Sequence, residues 1–505
     1  MRLPISFVTV SSKRFAIFLA GVALVITIFL LDIQLRPVSI EIQRSEAAPL
    51  SAEVRLRTRR PSSLEMIVHG IDGEDLIREY GEPVLERTVQ LLGLYPEREN
   101  RVTFLLTDLD GKERRLERRI TTGPLPEIYP EVRLRRNLPD RIADGMTFLH
   151  LAAYDEEGEY IPLASAVDRH GRVRWFYRED YGHLLLRLEN GNFVVEQDEG
   201  LQEITMLGWP RGGLVSLPEG VHHDAVELPE GNLLVLTAAP GSVDDGVAEV
   251  DLATGAVVES WDFRELLDPE RPRQPINLDD ADWLHLNGID YDSEEDAFVV
   301  SGRDQSALVE VSRATGEVRW ILGNHEHWEE RFHELLLEPE GEGFEWPWGQ
   351  HAPEYHSELP GRVLLYDNGN HRSYDNPLPP VESYSRAVEY EVDLEAGTVR
   401  QLWQYGKERG SELFTPFIGD ADYLENGNRL ITFGGISRDR EGNPRSLFDL
   451  EERAVNDMKI SAHVIEVTGE EPAQVVTELI FEDQDSSTWA GYRVYQAERM
   501  PLYPD

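Results

Sequence analysis

Four short stretches between them carry histidines, amides and a guanidinium: His222-His223, His285 with Asn287, Gln350-His351, and Arg303 within Ser301-Gly302-Arg303-Asp304. A neutral imidazole serves as a nucleophile or as a general acid and base near neutrality. A guanidinium offers paired donors to two oxygens of one anion. Together with the Asn287 amide, these groups suit the stabilisation of an oxyanion whose charge grows as a group is transferred. A single histidine at a strand start is more often a turn residue than a catalyst, so the inference requires a fold that brings these positions together.

The sequence predicts such a fold, because beyond Met146 it repeats. One recurring phrase is a strand end, a turn, and a strand closed by Trp: Val167-Asp168 to Trp175, Val250-Asp251 to Trp261, Val311-Ser312 to Trp320, and Val392-Asp393 to Trp403. A second is a Gly-Asn turn between apolar strands, at Leu188 to Asn192, Leu228 to Asn232 and Leu424 to Asn428. Repeats starting near Met146, His183, His222, His285, His351 and Gly419 predict an all-β, six-bladed β-propeller of four-stranded blades. In a blade the innermost strand starts at one face of the disc and the second strand returns to it. His222-His223, His285 with Asn287, and His351 would begin inner strands, and Arg303 would end a returning one, so all meet at one mouth of the channel.

Ahead of this domain, period-two alternation at Val38, Ile40, Ile42, at Ala52, Val54, Leu56 and at Leu64, Met66, Val68 predicts half-buried strands. Two further strand-like runs flank Asp110-Gly111, a hairpin signal. The expected organisation is a signal anchor over 1–36, a small β-sandwich-like domain over 37–135, and the propeller over 136–505. The anchor is read from the apolar run Phe15 to Leu31, preceded by Arg2, Lys13 and Arg14 and ended by Asp32. The run is long for a cleaved signal peptide and lacks an adjoining cleavage site, so a helix tethering the protein to the membrane is expected, with the body in the periplasm or otherwise outside the cytoplasm.

A formal charge of −45 excludes nucleic acid as a partner, since the phosphate backbone would be repelled. An anion site must then be a local cluster of Arg and His set against the global field. With no cysteine, disulfides and thiolate chemistry are excluded. His325 and His327 have a spacing that could hold a metal, but the surrounding Asn324 to Trp328 reads as a solvated loop. No cofactor or metal is expected, and homo-oligomerisation is left open.

Several longer phrases resemble the bacterial arylsulfate sulfotransferases. They are His222-His223-Asp224 before Leu228 to Asn232, Asp282-Trp283-Leu284-His285-Leu286-Asn287 before Ile289-Asp290-Tyr291, Ser301 to Ser306, Trp346 to His351, and Asp367-Asn368-Gly369-Asn370. Leu92-Gly93-Leu94-Tyr95-Pro96 and Asn100 extend the resemblance into the first domain. It implies an enzyme that moves a sulfuryl group from an aryl sulfate to a phenol in two steps, without a nucleotide donor, through a sulfurylated His351. His285, Asn287, Arg303 and one of His222 and His223, with His223 the preferred choice, would surround the group. His222 would lie nearby, Thr415 would supply a rim hydroxyl, and Trp348 could stack on the arene. The chief competing reading is a non-catalytic exported propeller that binds a partner at the same mouth. A quinone-dependent dehydrogenase would instead need carboxylate ligands for calcium.

Overall fold

The computed structural model describes residues 38–71, 73–154, 159–197, 200–217, 219–274, 282–446, 458–483 and 491–504. The expected membrane helix falls outside them, and among the described residues no helix is long and apolar enough to cross a membrane. The fold is all-β; among the described residues its one α-helical turn is Phe263–Leu266.

The chain divides into two compact units, the first comprising Met1–Arg44, Ala52–Leu91 and Glu99–Thr121. Its strands Ser39–Arg44, Ala52–Val68, Leu76–Leu91, Glu99–Asp108 and Glu113–Thr121 form one connected sheet. The run at Ile40 and Ile42 forms its own strand, Ser39–Arg44, but the other two alternating runs belong to a single strand, Ala52–Val68, with Ala52, Val54, Leu56, Leu64, Met66 and Val68 buried. Its pairing with Leu76–Leu91 shifts register between Arg57 and Ser62, where Pro61 has no N–H to give a ladder. Its first half also pairs with Ser39–Arg44 and its second with Glu99–Asp108. The Asp110-Gly111 hairpin forms, with Thr107 opposite Glu113 and Gly111 at φ 76°.

The second unit comprises Ser45–Ser51, Leu92–Arg98 and Thr122–Asp505. Six sheets of four or five strands, here I to VI, follow one another along it. Their earliest principal strands are Met146–Tyr154, Leu185–Arg187, Ala225–Glu227, Leu286–Asp292, His351–Tyr355 and Asp420–Tyr423. Pairing is antiparallel apart from Glu338–Glu340, which runs parallel to Thr398–Tyr405 in sheet V. Two strands join sheets far from their place in the chain. Gly491–Met500 pairs with Met146–Tyr154 and takes the edge of sheet I that an opening strand holds in the other sheets, so Met146 starts a second strand rather than an edge one. Arg133–Asn137 pairs with Val475–Phe481 at the edge of sheet VI, and the boundary expected at 135/136 cuts through it.

The recurring Trp has a packing role. Trp175, Trp261, Trp320 and Trp403 are buried on the last-formed strands of their sheets and press on the second strand of the next sheet. Trp175 meets Phe193 at 5.2 Å and Trp261 meets Phe298 at 5.0 Å between ring centroids. Trp320 clusters with Val363 and Leu365, and Trp403 with Ile431 and Phe433. Aromatic burial of this size is the main adhesive between sheets.

The edge strands are also tied to one another by carboxylates. Asp224 Oδ2 accepts from the Ile289 amide at 3.1 Å, Asp290 Oδ2 from Tyr355 at 2.7 Å, Glu354 Oε2 from Tyr423 at 2.7 Å, and Asp420 Oδ2 from Ala497 at 3.1 Å. Each bond runs from one sheet to the next, from III through VI to the closing strand of I. They satisfy amides that an edge strand would otherwise leave open.

Candidate active site

The expected residues gather at the starts of these edge strands, where the backbone is unusual. His223, His285, Ala352 and Ile418 all have φ between 46° and 54°, immediately before or within the opening of the strands of sheets III to VI. A non-glycine residue in this left-handed region costs roughly 1 kcal/mol or more, and such strain persists only where surrounding contacts over-determine it. Those contacts are present: the amide of His222 donates to Leu236 O, that of Leu236 to Asp224 O, and that of Arg303 to His285 O. Asn287 is buried and its amide donates to Gln350 O at 2.9 Å. Gln350 in turn donates to the carbonyls of Gly302 and Ala307, so sheets IV and V are bonded together beside His351.

His351 is held in one orientation. Its Nδ1 lies 2.7 Å from Asn368 Oδ1. The Asn368 amide nitrogen donates to the carbonyls of Thr415 at 2.9 Å and Ile418 at 2.8 Å. Rotating that amide would set an oxygen against two carbonyls, so the oxygen must face the imidazole. A carbonyl oxygen only accepts; the proton therefore sits on Nδ1 and the lone pair on Nε2. Burial, followed by the charge of Arg303, lowers the imidazole to about 3, although the Asn368 bond opposes them. His351 is a neutral Nε2 base at any ordinary pH.

Arg303 lies at the centre of the electrostatics. Its charge also lowers His285 and His223, secondary to burial, and both are held well below the ordinary histidine value. The guanidinium is buried and its Nε donates to Asp304 Oδ1 at 2.7 Å. The rings of His223 and His285 meet edge to face at 4.7 Å. His222 stands behind them, with Nδ1 2.9 Å from His223 Nδ1 and burial lowering it to about 4. Of the two adjacent histidines, His223 is the one against His285. His285 Nδ1 lies 2.6 Å from Asp282 Oδ2 and 3.5 Å from Asp244 Oδ2, and burial with the nearby Asp282 charge pushes Asp244 up to about 7.

Thr415 and Trp348 are placed differently from expectation. Thr415 is buried, but its hydroxyl donates to Leu413 O at 3.0 Å, and its link to His351 is the carbonyl that receives Asn368. Trp348 packs edge-on against Tyr374, while its carbonyl accepts from the amides of Gly369 and Asn370. It braces the loop carrying Asn368 instead of offering an open arene face. His325 bonds to Leu337 O and its ring lies 5.1 Å from Trp346, and the His327 ring lies 5.2 Å from Tyr374, so this pair is engaged in local packing.

Three residues in the site were not assigned a role from sequence: Asn368, Asp282 and Asp244. The first two lie in the phrases Asp367-Asn368-Gly369-Asn370 and Asp282-Trp283-Leu284-His285, where the three-residue step from Asp282 to His285 was an available signal. Asp244 arrives from a loop of sheet III with no local mark.

Comparisons with known proteins match both units of the chain. Residues 132–493 match the family model of the arylsulfotransferase (ASST), and residues 39–123 match that of the arylsulfotransferase Ig-like domain. The arylsulfate sulfotransferase AssT of Escherichia coli O6:H1 is 26% identical over 503 residues, covering 77% of this chain and 83% of that protein. That of Lelliottia amnigena is 24% identical over 507 residues with the same coverage. A neutral imidazole beside a buried guanidinium, within a chain matched over both units, identifies the protein as an aryl sulfotransferase of the arylsulfotransferase family.

Proposed function

We propose that the protein transfers a sulfuryl group from an aryl sulfate to a phenolic acceptor in two steps, through a sulfohistidine at His351 and without a nucleotide donor. The observation that carries this reading is the Asn368 bond, which leaves the lone pair of His351 on Nε2. In the first step Nε2 attacks sulfur, the Nε2–S bond forms, and the S–O bond to the arene breaks with its electron pair leaving on the phenolate. A phenol has a pKa of about 10, so the leaving group needs only modest help from donors. Arg303, Asn287 and the neutral imidazoles of His223 and His285 are placed for that help.

The second step explains why an amide holds Nδ1. Once sulfurylated at Nε2, the ring keeps its Nδ1 proton because an amide oxygen cannot take it, and the ring stays cationic. A cationic imidazole is a good leaving group. The acceptor phenol attacks sulfur, gives its proton to a flanking neutral imidazole, and the Nε2 lone pair returns. Arg303 favours donor binding but opposes the cationic ring, so the intermediate is stable enough to form and reactive enough to pass on.

This reading includes a six-bladed β-propeller over 136–505, supported by six successive sheets, by carboxylate bonds that run from III through VI to I, and by the closing pairing of Gly491–Met500. The first domain is then 37–135, with the Arg133–Asn137 edge strand of sheet VI spanning its end. The Phe15 to Leu31 run supports an exported body tethered by residues 1–36. The test is enzyme mixed with a chromogenic aryl sulfate alone. It should release one equivalent of phenol per site and carry one sulfuryl group on the peptide containing His351. His351→Ala should abolish both, while His285→Ala and His223→Ala should label more slowly. A label on another residue, or no phenol before acceptor is added, would refute the two-step reading.

A further inference from the structure

On the side of sheets I and II a second group of rings adjoins the sulfuryl site. His183 stacks on His223, with centroids 6.0 Å apart and planes inclined by 18°. Tyr160 follows His183 at 6.2 Å, and Tyr154 follows Tyr160 at 6.2 Å. Tyr495 meets His223 at 6.1 Å and His150 at 5.5 Å. Since His183 is exposed and both Tyr160 and Tyr154 are half-buried, the row leads from His223 towards solvent. The transfer chemistry derived above uses none of these four side chains.

Arg493 stands at the outer end of this row. Its guanidinium lies 4.4 Å from the Tyr160 ring and 5.6 Å from the Tyr154 ring. Two residues further along the same strand, the Tyr495 hydroxyl donates to Asn287 O at 3.4 Å, so one strand carries both a contact to the sulfuryl site and this cation. Tyr495 lies within reach of the charges of both Arg493 and Arg303. After desolvation, the Arg493 charge is the largest influence on the imidazoles of His150 and His183, and it lowers both. Arg493 thus lies beyond the first ring out from His223, where the far substituent of a bound arene would fall.

The cation is unusual for a chain of net charge −45, because among the described residues no carboxylate pairs with it. The groups acting on it are the phenols of Tyr154, Tyr160 and Tyr495, with Tyr160 in hydrogen-bond contact. Packing against rings engages the faces of a guanidinium and leaves its edges, and Arg493 Nε is buried without a partner. The Tyr181 hydroxyl is in the same state: the residue is 6% exposed, its oxygen has no partner, and the Arg493 charge reaches it. Burial raises that phenol well above its ordinary value, so it remains a donor. Glu196, whose charge reaches Tyr160, accepts from the His183 amide. Two buried donors without an acceptor are costly to a folded protein, and an anionic ligand would answer both.

We propose that Arg493 and the Tyr181 hydroxyl form the outer half of the arene site and select phenols, and their sulfate esters, that carry a carboxylate on the side of the ring away from the reacting oxygen. The proposal rests on the two-step reading, in which donor and acceptor arenes occupy this place in turn. A carboxylate has two oxygens and can accept from both groups at once. The faces of His183 and Tyr160 lie along the ring between the two ends. A neutral amide of the same shape leaves the guanidinium unanswered, and an ammonium in its place meets a like charge. Arg493 also offsets locally the repulsion that the acidic surface exerts on an anionic substrate.

The test compares three para-substituted phenols as acceptors, 4-hydroxyphenylpropionate, its amide and tyramine, with 4-nitrophenyl sulfate as donor and the sulfated products measured by mass spectrometry. The carboxylate should exceed the amide in kcat/KM by about tenfold, with the difference in KM, and tyramine should be the poorest. Arg493→Gln should abolish the preference for carboxylate over amide. Tyr181→Phe, which keeps its ring against His150, should lower it several-fold. Circular dichroism identifies a variant that fails to fold, in which case the other decides. Calorimetric titration of the resting protein with the carboxylate and the amide, without donor, should show the same preference in affinity. The proposal is overturned by a wild-type protein that does not prefer the carboxylate in turnover or in affinity, or by folded variants that keep the wild-type ratio. The phenol burst needs no acceptor, so loss of the preference leaves the burst intact, and failure of the burst leaves the calorimetric preference intact.

Discussion

Asn368→Leu removes the group that fixes the His351 tautomer while keeping a side chain of similar reach. The wild-type bond is 2.7 Å long between two buried side chains, and it is charge-assisted once the ring becomes cationic in the transition state. Such bonds contribute about 1.5–3 kcal/mol. At 1.36 kcal/mol per decade, the burst rate should fall about 10- to 150-fold. Losing the donations to Thr415 O and Ile418 O should lower the melting temperature as well, so rate alone would not separate positioning from support. Two further readouts do. In ¹⁵N-histidine-labelled resting protein, the His351 signals should show a proton on Nδ1 in the wild type and a mixture in the variant. The donor concentration giving half the maximal burst rate should stay close to wild type, because Asn368 lies on the far side of the ring from the donor. A variant with an unchanged tautomer, or with a burst rate within a few-fold of wild type, would refute the reasoning.

Other outcomes follow from the same geometry. Because burial lowers His351 to about 3, the burst rate should show no limb from its protonation near the ordinary histidine value of about 6.5; stopped-flow phenol release from pH 5 to 8 would reveal one. Arg303→Lys keeps the charge but loses the fork that can serve Asp304 and an oxyanion together, and should cost at least about tenfold in kcat/KM. Turnover near wild type would make Arg303 structural. Asp290 is pushed up to about 7 by burial, so its contribution to stability is present below its unfolded value of about 4 and is lost as pH rises through about 7. The melting-temperature deficit of Asp290→Asn should therefore be larger at pH 5 than at pH 8.5, and an equal deficit at both would contradict the assigned shift.

What the sequence disclosed was local and periodic. The Trp phrases and Gly-Asn turns recur because each sheet solves the same packing problem, and the six sheets start within a few residues of the predicted repeats. His223, His285 and His351 were legible because each stands at a strand opening. Long-range partners were not. The pairing of Met146 with Met500 leaves no trace in the residues between them, so sheet I was read without its edge strand. Asn368 carries its role through two carbonyls of a later loop, and a turn-forming Asp-Asn-Gly-Asn phrase conceals that. The run Arg57 to Pro61 interrupts apolar alternation, so one long strand looked like several. Thr415 was read as a hydroxyl position, and its donation to a neighbouring carbonyl leaves no mark in the sequence.

The closing strand has a consequence for when the enzyme becomes functional. Gly491–Met500 cannot pair with Met146–Tyr154 until nearly the whole second unit has been made, and bringing such distant segments together costs about 5 kcal/mol of loop entropy. Folding governed by contacts of this range is slow. Until closure, Met146–Tyr154 and Val475–Phe481 present open backbone to any strand they meet, including one from another copy of the chain. Ala497 on the late strand is also the donor to Asp420, two residues beyond Ile418, whose carbonyl orients Asn368. The last strand to arrive thus completes the support of Asn368, the residue that orients the His351 imidazole.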